Sequence, residues 1–227
     1  MNHTFKPCLD ILPPAQKRIW PALRFTRTAG YVLYGGTAVA LRCGHRVSVD
    51  FDFFSHKPLN KTEIFSEFSF SREATVLQDQ PHTLTLLIPT QGPDANDVKL
   101  SFFGQIGIGR VNTPNVTHDG VLQVASIEDL LATKLKVILQ RVEAKDYRDI
   151  VALITAGAGL PAGLAAANAM YGKQFQPMES LKALTFFADG DLDTLTAAEK
   201  NFLIKAAGSV RNLPEVTIVS YELGVQG

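Results

Sequence analysis

The sequence predicts an α/β chain of the α+β kind: a mixed sheet flanked by helices, followed by a C-terminal helical segment. Three observations predict it. Short apolar or alternating runs bounded by Gly, Pro and Asp recur between residues 31 and 124, helical patterns lie before and among them, and from residue 126 onward the periodicity is mostly helical. With 227 residues, 46% of them hydrophobic, the chain is long enough to bury a core, and we place the division at 1–125 and 126–227.

Pro13-Pro14 opens a helix that runs to about Thr28, with a kink or restart at Pro21. Tyr31 to Tyr34 reads as a buried strand stopped by Gly35 and Gly36, which permit positive φ and let an anion approach the backbone N–H groups. Thr37 stands where a helix begins, able to cap it, its hydroxyl facing the space that attracts phosphate. Ala38 to Arg42 continues that helix and Gly44 ends it. His45 is then a cap or a loop residue. Val47, Val49, Phe51 and Phe53 alternate with Ser48, Asp50 and Asp52, so a second strand carries both carboxylates on one face.

Two acids at i and i+2 repel unless a cation lies between them. Mg²⁺, with Mn²⁺ as a substitute, suits the pair, because it takes one or two carboxylates and completes its shell with phosphate and water. Arg46 and Ser48 share that face. The Arg46 guanidinium either grips a phosphate fork-wise or neutralises Asp50.

Beyond Ser55, a loop and short helix lead to strands near Ala74–Gln78, Leu84–Ile88 and Val98–Phe103, with a turn at Gln80-Pro81-His82 and a loop over Gln91–Asn96. Val121–Val124 is a further strand. Ser126 and Asp129 form a capping arrangement for a helix over Ile127–Val142. At about 100° per residue, Ile127, Leu130, Leu131, Leu135, Ile138 and Val142 make one apolar arc that includes Lys134 and Arg141 and leaves Lys136 outside. A cation on such an arc either reaches the rim or meets an anion. For Arg141 the choices are a structural ion pair or a phosphate contact. The next helix starts near Glu143 or Lys145, with Asp146 and Asp149 at i and i+3 along one edge of its apolar face. Asp149 balances a neighbouring cation or serves the site. Helices follow at Pro161–Tyr171, Pro177–Phe187 and Thr196–Gly208, and Val216–Tyr221 reads as a closing strand.

Gly35-Gly36-Thr37, a gap of about a dozen residues and then Asp50-x-Asp52 resembles the signature of the nucleotidyltransferase AbiEii/AbiGii toxin family, within the polymerase-beta-like superfamily. Ile11–Leu23, Val98–Gly104, Ala125–Arg141 and Lys145–Asp149 resemble further family segments in family order, so the likeness spans roughly residues 10 to 155. It implies a polymerase-beta-like core whose cleft is completed by the first two helices of 126–227. It implies transfer of a nucleoside monophosphate from an NTP to an acceptor hydroxyl on RNA, such as tRNA, or on protein. Asp50 and Asp52 would hold the metal, Gly35, Gly36 and Thr37 the triphosphate, and Lys134 a phosphate oxygen. Asp146 would orient the acceptor or assist the lysine. The family also implies a toxin with a cognate antitoxin. Ser101 departs from the pattern, since the superfamily usually places a third carboxylate there, and a hydroxyl replaces neither a base nor a charged ligand. That departure keeps open a nucleotide-binding or regulatory protein with weakened catalysis.

The charge balance, 22 basic against 22 acidic residues, argues against gripping a long nucleic-acid duplex. Five histidines and two cysteines show no zinc spacing. No stretch resembles a signal peptide or membrane span, so a reducing cytoplasm is expected.

Overall fold

A computed structural model describes residues 4–90 and 97–225. The predicted Gln91–Asn96 loop lies outside the described residues. The chain divides into two compact units: Met1–Ile108 with Thr113–Ala125 and Tyr221–Gly227, and Gly109–Asn112 with Ser126–Ser220.

The first unit is built on a mixed sheet. In chain order its strands are β1 (Thr4–Phe5), β2 (Val32–Tyr34), β3 (Asp50–Phe54), β4 (Thr75–Gln80), β5 (Thr83–Ile88), β6 (Val98–Phe103), β7 (Asn115–Thr117) and β8 (Gln123–Val124). Across the sheet they run β1-β7-β8-β2-β3-β6-β5-β4. Antiparallel β2–β3 pairs Tyr34 with Asp52, and parallel β3–β6 pairs Asp50 with Lys99 and Asp52 with Ser101. One face of β3 is an aromatic core, with Phe53 stacked on Phe102 at 5.2 Å and Phe51 beside Phe53. Period two then turns Asp50, Asp52 and Phe54 to the other face.

Helices close the sheet. The segment after Pro13 restarts twice, as α1 (Pro14–Ile19), a 3₁₀ turn over Trp20–Arg24 and α2 (Phe25–Thr28), which matches the break expected at Pro21. Helix α3 (Gly35–Cys43) ends at Gly44 in the left-handed conformation. Arg42 near its end donates to the carbonyls of Val124 and Ala125 and to Asn115 Oδ1, and lies over the Phe5 ring, fixing α3 to the β1-β7-β8 side. Helix α4 (Lys61–Glu67) is capped by Asn60.

The second unit is helical: α5 (Ile127–Val137), α6 (Ala144–Thr155), α7 (Leu160–Tyr171), α8 (Pro177–Ala183) and α9 (Ala197–Ser209). Ser126 caps α5 as expected, accepting from the Asp129 N–H and donating to its carboxylate. Thr196 and Glu199 form a reciprocal capping box on α9.

Several expected boundaries are corrected. Val47 and Val49 are exposed loop residues; β3 starts at Asp50, where its ladder to β6 begins. Val216–Tyr221 is not a strand, because its only ladder contact is the single bridge Arg110–Ser220. Helix α5 stops at Val137 rather than Val142, as i→i+3 bonds from Leu139 and Gln140 tighten its last turn. Helix α8 stops at Ala183, short of Phe187. The two-residue β1 and three-residue β7 went unpredicted. No helix among the described residues is long and apolar enough to cross a membrane.

Candidate active site

The first unit gathers Gly35, Gly36, Thr37, Arg46, Ser48, Asp50, Asp52 and Ser101 around the start of α3 and the leading end of β3. The two glycines do different things. Gly35 has φ +75°, and a Cβ there would overlap Asp52 Oδ2, so the carboxylate lies directly against the glycine at the first turn of a nine-residue helix. That is the positive end of the helix dipole, where a carboxylate is favoured. Gly36 does not take the positive φ expected of it. Its requirement is space: an added Cβ would sit 2.5 Å from Arg46 Nη2 and 3.2 Å from Ser48 Oγ. The guanidinium therefore packs on the glycine turn, while Arg46 Nη1 also donates to the Val47 carbonyl at 3.0 Å.

Thr37 is not the helix cap. The cap residue is Tyr34, whose side chain makes no capping bond, and Thr37 is 1% exposed inside the first turn. Its hydroxyl lies 2.9 Å from Ser48 Oγ and also donates to the Asp50 carbonyl. The side chain thus pins the beginning of β3 to α3, and so sets where Asp50 and Asp52 emerge.

Asp50 and Asp52 stand about 6.6 Å apart along the strand, the span of two extended residues. Asp50 Oδ2 is 3.0 Å from Lys99 Nζ, with the two side chains 42% and 39% exposed. Lys99 is the residue whose site contact the sequence reading missed. Period two places Lys99 on the face of Ser101, but nothing in the sequence says that β6 lies beside β3 in parallel register. Ser101, opposite Asp52, is 4% exposed. Tyr34 and Phe54 stack at 4.9 Å on the same face and form an apolar border to Asp52.

The donor set fits a hard divalent ion that shares its shell with a polyphosphate: two carboxylates, of which one is in contact with a lysine, and a neighbouring hydroxyl. Among the described residues no group of three His, Cys, Asp or Glu side chains forms a larger cage.

The second unit assembles the other candidates around α5 and α6. Lys134 Nζ lies 2.7 Å from Asp146 Oδ1 and 2.6 Å from Asp149 Oδ2, with the lysine side chain 5% exposed and both carboxylates fully buried. Arg141 closes the cluster, its Nε 2.8 Å from Asp146 Oδ2 and 3.7 Å from Glu143. Burial pushes the Asp146 carboxyl up, but the Arg141 hydrogen bond and the Lys134 charge outweigh it and hold the group below the usual carboxylate range. Asp129 goes the other way, raised by burial despite its bonds to Ser126 and the Val111 N–H. Lys136 is outside the arc, as expected, and donates to the Gln174 carbonyl.

The mixed sheet with its flanking helices is a nucleotidyltransferase fold. Three solved structures share it. The MenT4 nucleotidyltransferase toxin of Mycobacterium tuberculosis aligns with TM-score 0.59 at 13% identity, over 87% of this chain and 82% of its own. A putative nucleotidyltransferase from H. pylori gives 0.53 at 18%, over 85% and 92%. An antigenic nucleotidyltransferase-like protein of Paracoccidioides brasiliensis gives 0.54 at 15%, over 91% and 96%. The profile of the nucleotidyl transferase AbiEii toxin family, type IV toxin–antitoxin systems, matches residues 23–216, and the chain belongs to that family. An uncharacterized protein of Aquifex aeolicus (strain VF5) is 30% identical over 122 residues, 53% of this chain; the chain spans about half the length of this curated relative, 55%.

Proposed function

We propose that the chain is an AbiEii-type toxin that transfers a nucleoside monophosphate from an NTP to an acceptor hydroxyl. The acceptor is an RNA such as tRNA, or a protein, and a cognate antitoxin opposes the activity. The observation that carries this reading is the Asp52 carboxylate seated against Gly35, with Asp50 two residues away on the same strand face.

In the reaction the acceptor hydroxyl gives up its proton to water, its oxygen bonds to the α-phosphorus, and the bond from the α-phosphorus to the oxygen bridging it to the β-phosphate breaks, releasing pyrophosphate. Mg²⁺ held by Asp50 and Asp52 would offset charge on the phosphates. The chain's own groups do the positioning. Lys99 fixes one oxygen of Asp50. Thr37 sets the strand start, and the N–H groups at Gly35 and Gly36 with the Arg46 guanidinium offer donors to a triphosphate. Ser48 and Ser101 supply polar contacts on the same face. Lys134, Arg141, Asp146 and Asp149 are the residues of the helical unit that we assign to the same reaction. A direct phosphate contact by Lys134 requires it to exchange a carboxylate for the ligand; otherwise Asp146 and Asp149 act through it as positioning residues.

Ser101 favours one other reading, a nucleotide-binding regulator that has kept the pocket and lost transfer. Incubation with each labelled NTP, Mg²⁺ and total RNA separates the two. Label entering RNA or protein, and vanishing in Asp50→Asn and Asp52→Asn, supports the enzyme. Saturable NTP binding with no label transferred refutes it and leaves the regulator.

A further inference from the structure

The first unit holds a cavity of about 560 Å³ that the transfer chemistry does not use. Arg24, Arg27, His56, Lys57, Glu222 and Gly30 are among the residues that line it. Its place in the fold separates it from the carboxylates. Gly30 precedes β2 and His56 and Lys57 follow β3, and because these strands are antiparallel, both segments lie at the sheet end opposite Gly35 and Asp50. Two strand rises, about 7 Å, lead from Asp52 to Phe54 at the end of β3, and His56 lies two residues beyond it.

The cations converge there. Arg24 and Arg27, one helical turn apart, each place Nη1 3.4 Å from where a Cβ on Gly120 would lie, and Lys57 Nζ is 3.7 Å from the same point on Gly30. Arg24 donates to the Asp119 carbonyl at 3.0 Å and Arg27 to the Gly120 carbonyl at 3.3 Å. A guanidinium has five N–H donors, so these bonds orient the groups and leave donors over. The nearby Asp119 carboxylate is already bonded to Thr117, Trp20 and the Val121 N–H. In a chain of zero formal charge, three cations set against the carboxylates of Glu222 and Asp119 leave an excess of one positive charge around one cavity.

The walls are built rather than incidental. The Gln123 amide clamps Val225 from both sides, donating to its carbonyl at 2.6 Å and accepting from its N–H at 2.8 Å, while Leu223 is fully buried. This holds Glu222 and Gly224 in the lining. The Lys57 backbone is fixed by its N–H to Ser55 Oγ and by its carbonyl, which accepts from the Gln105 N–H.

We infer that this cavity binds a free nucleotide, phosphates against Arg24, Arg27 and Lys57, at a site distinct from the Asp50–Asp52 pair. Its volume lies within the range of small-molecule sites. Glu222 repels a bare phosphate, while a carboxylate has two oxygens and so keeps acceptor capacity for hydroxyl or amino groups beside the partner it already has; the lining suits an ester carrying both. Such a site would let nucleotide supply modulate the chain, and the inference does not depend on the transfer reaction.

The test uses the full chain carrying Asp50→Asn and Asp52→Asn, titrated calorimetrically in EDTA with ATP, GTP, AMP, inorganic phosphate and a short RNA. Expected is one saturable site for a free nucleotide that is tighter than for inorganic phosphate, weakens as KCl rises, and loses about tenfold or more in affinity with Arg27→Gln plus Lys57→Gln. As a readout on the unmutated pocket, saturating nucleotide should protect Lys57 from amine acetylation mapped by mass spectrometry. No saturable nucleotide binding, binding unchanged by the double substitution in a folded protein, binding of RNA alone, or equal Lys57 labelling with and without nucleotide would each overturn the inference.

Discussion

Replacing Lys134 with Met tests how the helical unit is held together. The substitution conserves shape but strips the ammonium from between Asp146 and Asp149, both fully buried and within 2.7 Å of it. Arg141 still answers Asp146, while Asp149 loses the ammonium 2.6 Å from its Oδ2. Removing one partner of a buried ion pair costs about 3–5 kcal/mol, because the remaining charge stays desolvated. With a urea m value of about 3 kcal/mol/M for a chain of this size, the midpoint drops by about 1–1.7 M. Far-UV circular dichroism follows the helices, while the single tryptophan, Trp20, reports on the first unit, so the two probes tell which unit moved. Adding Asp146→Asn and Asp149→Asn to Lys134→Met removes the stranded charge and recovers most of the loss. The pH dependence has a definite sign. Asp146 sits below its ordinary value of 3.8 in the fold, so its stabilisation is present above that value and is lost as pH falls through the lower folded pKa. In Lys134→Met the carboxylates take up protons more readily, so the deficit against wild type shrinks on acidification. A midpoint within about 0.3 M of wild type, or a triple variant no better than the single, refutes the account.

Three other outcomes follow from the carboxylate face. Gly35→Ala places a Cβ at φ +75° and against Asp52 Oδ2, so it should cost about 1–3 kcal/mol, lower the melting temperature by several degrees, and reduce label transfer more than it reduces stability. Lys99→Met should leave the melting temperature within about a degree or two, since the pair is largely solvated, yet tighten Mn²⁺ binding measured by electron paramagnetic resonance by removing a competing cation. Ser101→Asp buries a third carboxylate beside Asp52; it should destabilise the chain without divalent ions and make its melting temperature rise more steeply with Mg²⁺ than wild type does.

Local chemistry made much of the fold legible. Gly44 ends α3 and Ser126 caps α5 because each signal acts within a few residues, and the alternation around Phe51 and Phe53 was enough to predict a strand face carrying Asp50 and Asp52. What the sequence left out depends on neighbours far along the chain. Strands β1 and β7 are too short to show a period, and Val216–Tyr221 shows one but has a single bridging partner. Thr37 looked like a cap because a hydroxyl after two glycines is a common helix start; the helix instead begins at Gly35, and the hydroxyl turns to Ser48 and the Asp50 carbonyl. The contact of Lys99 with Asp50 belongs to a parallel pairing of strands whose first residues, Asp50 and Val98, lie 48 positions apart, and no local signal encodes it.

That pairing bears on how a metal reaches the proposed site. A face with three carboxylates attracts a bare divalent ion strongly, but here Ser101 contributes no charge and Lys99 offsets Asp50. With Arg46 packed on Gly36, the formal charges around the two aspartates nearly cancel. Such a face holds a free ion weakly and repels a triphosphate little. A Mg²⁺ already bound to the NTP brings its own phosphate ligands and needs only one or two carboxylates from the protein, which is what Asp50 and Asp52 provide. On the proposed reading, metal and nucleotide therefore bind as one ligand, and the affinity for either alone is far below that for the pair.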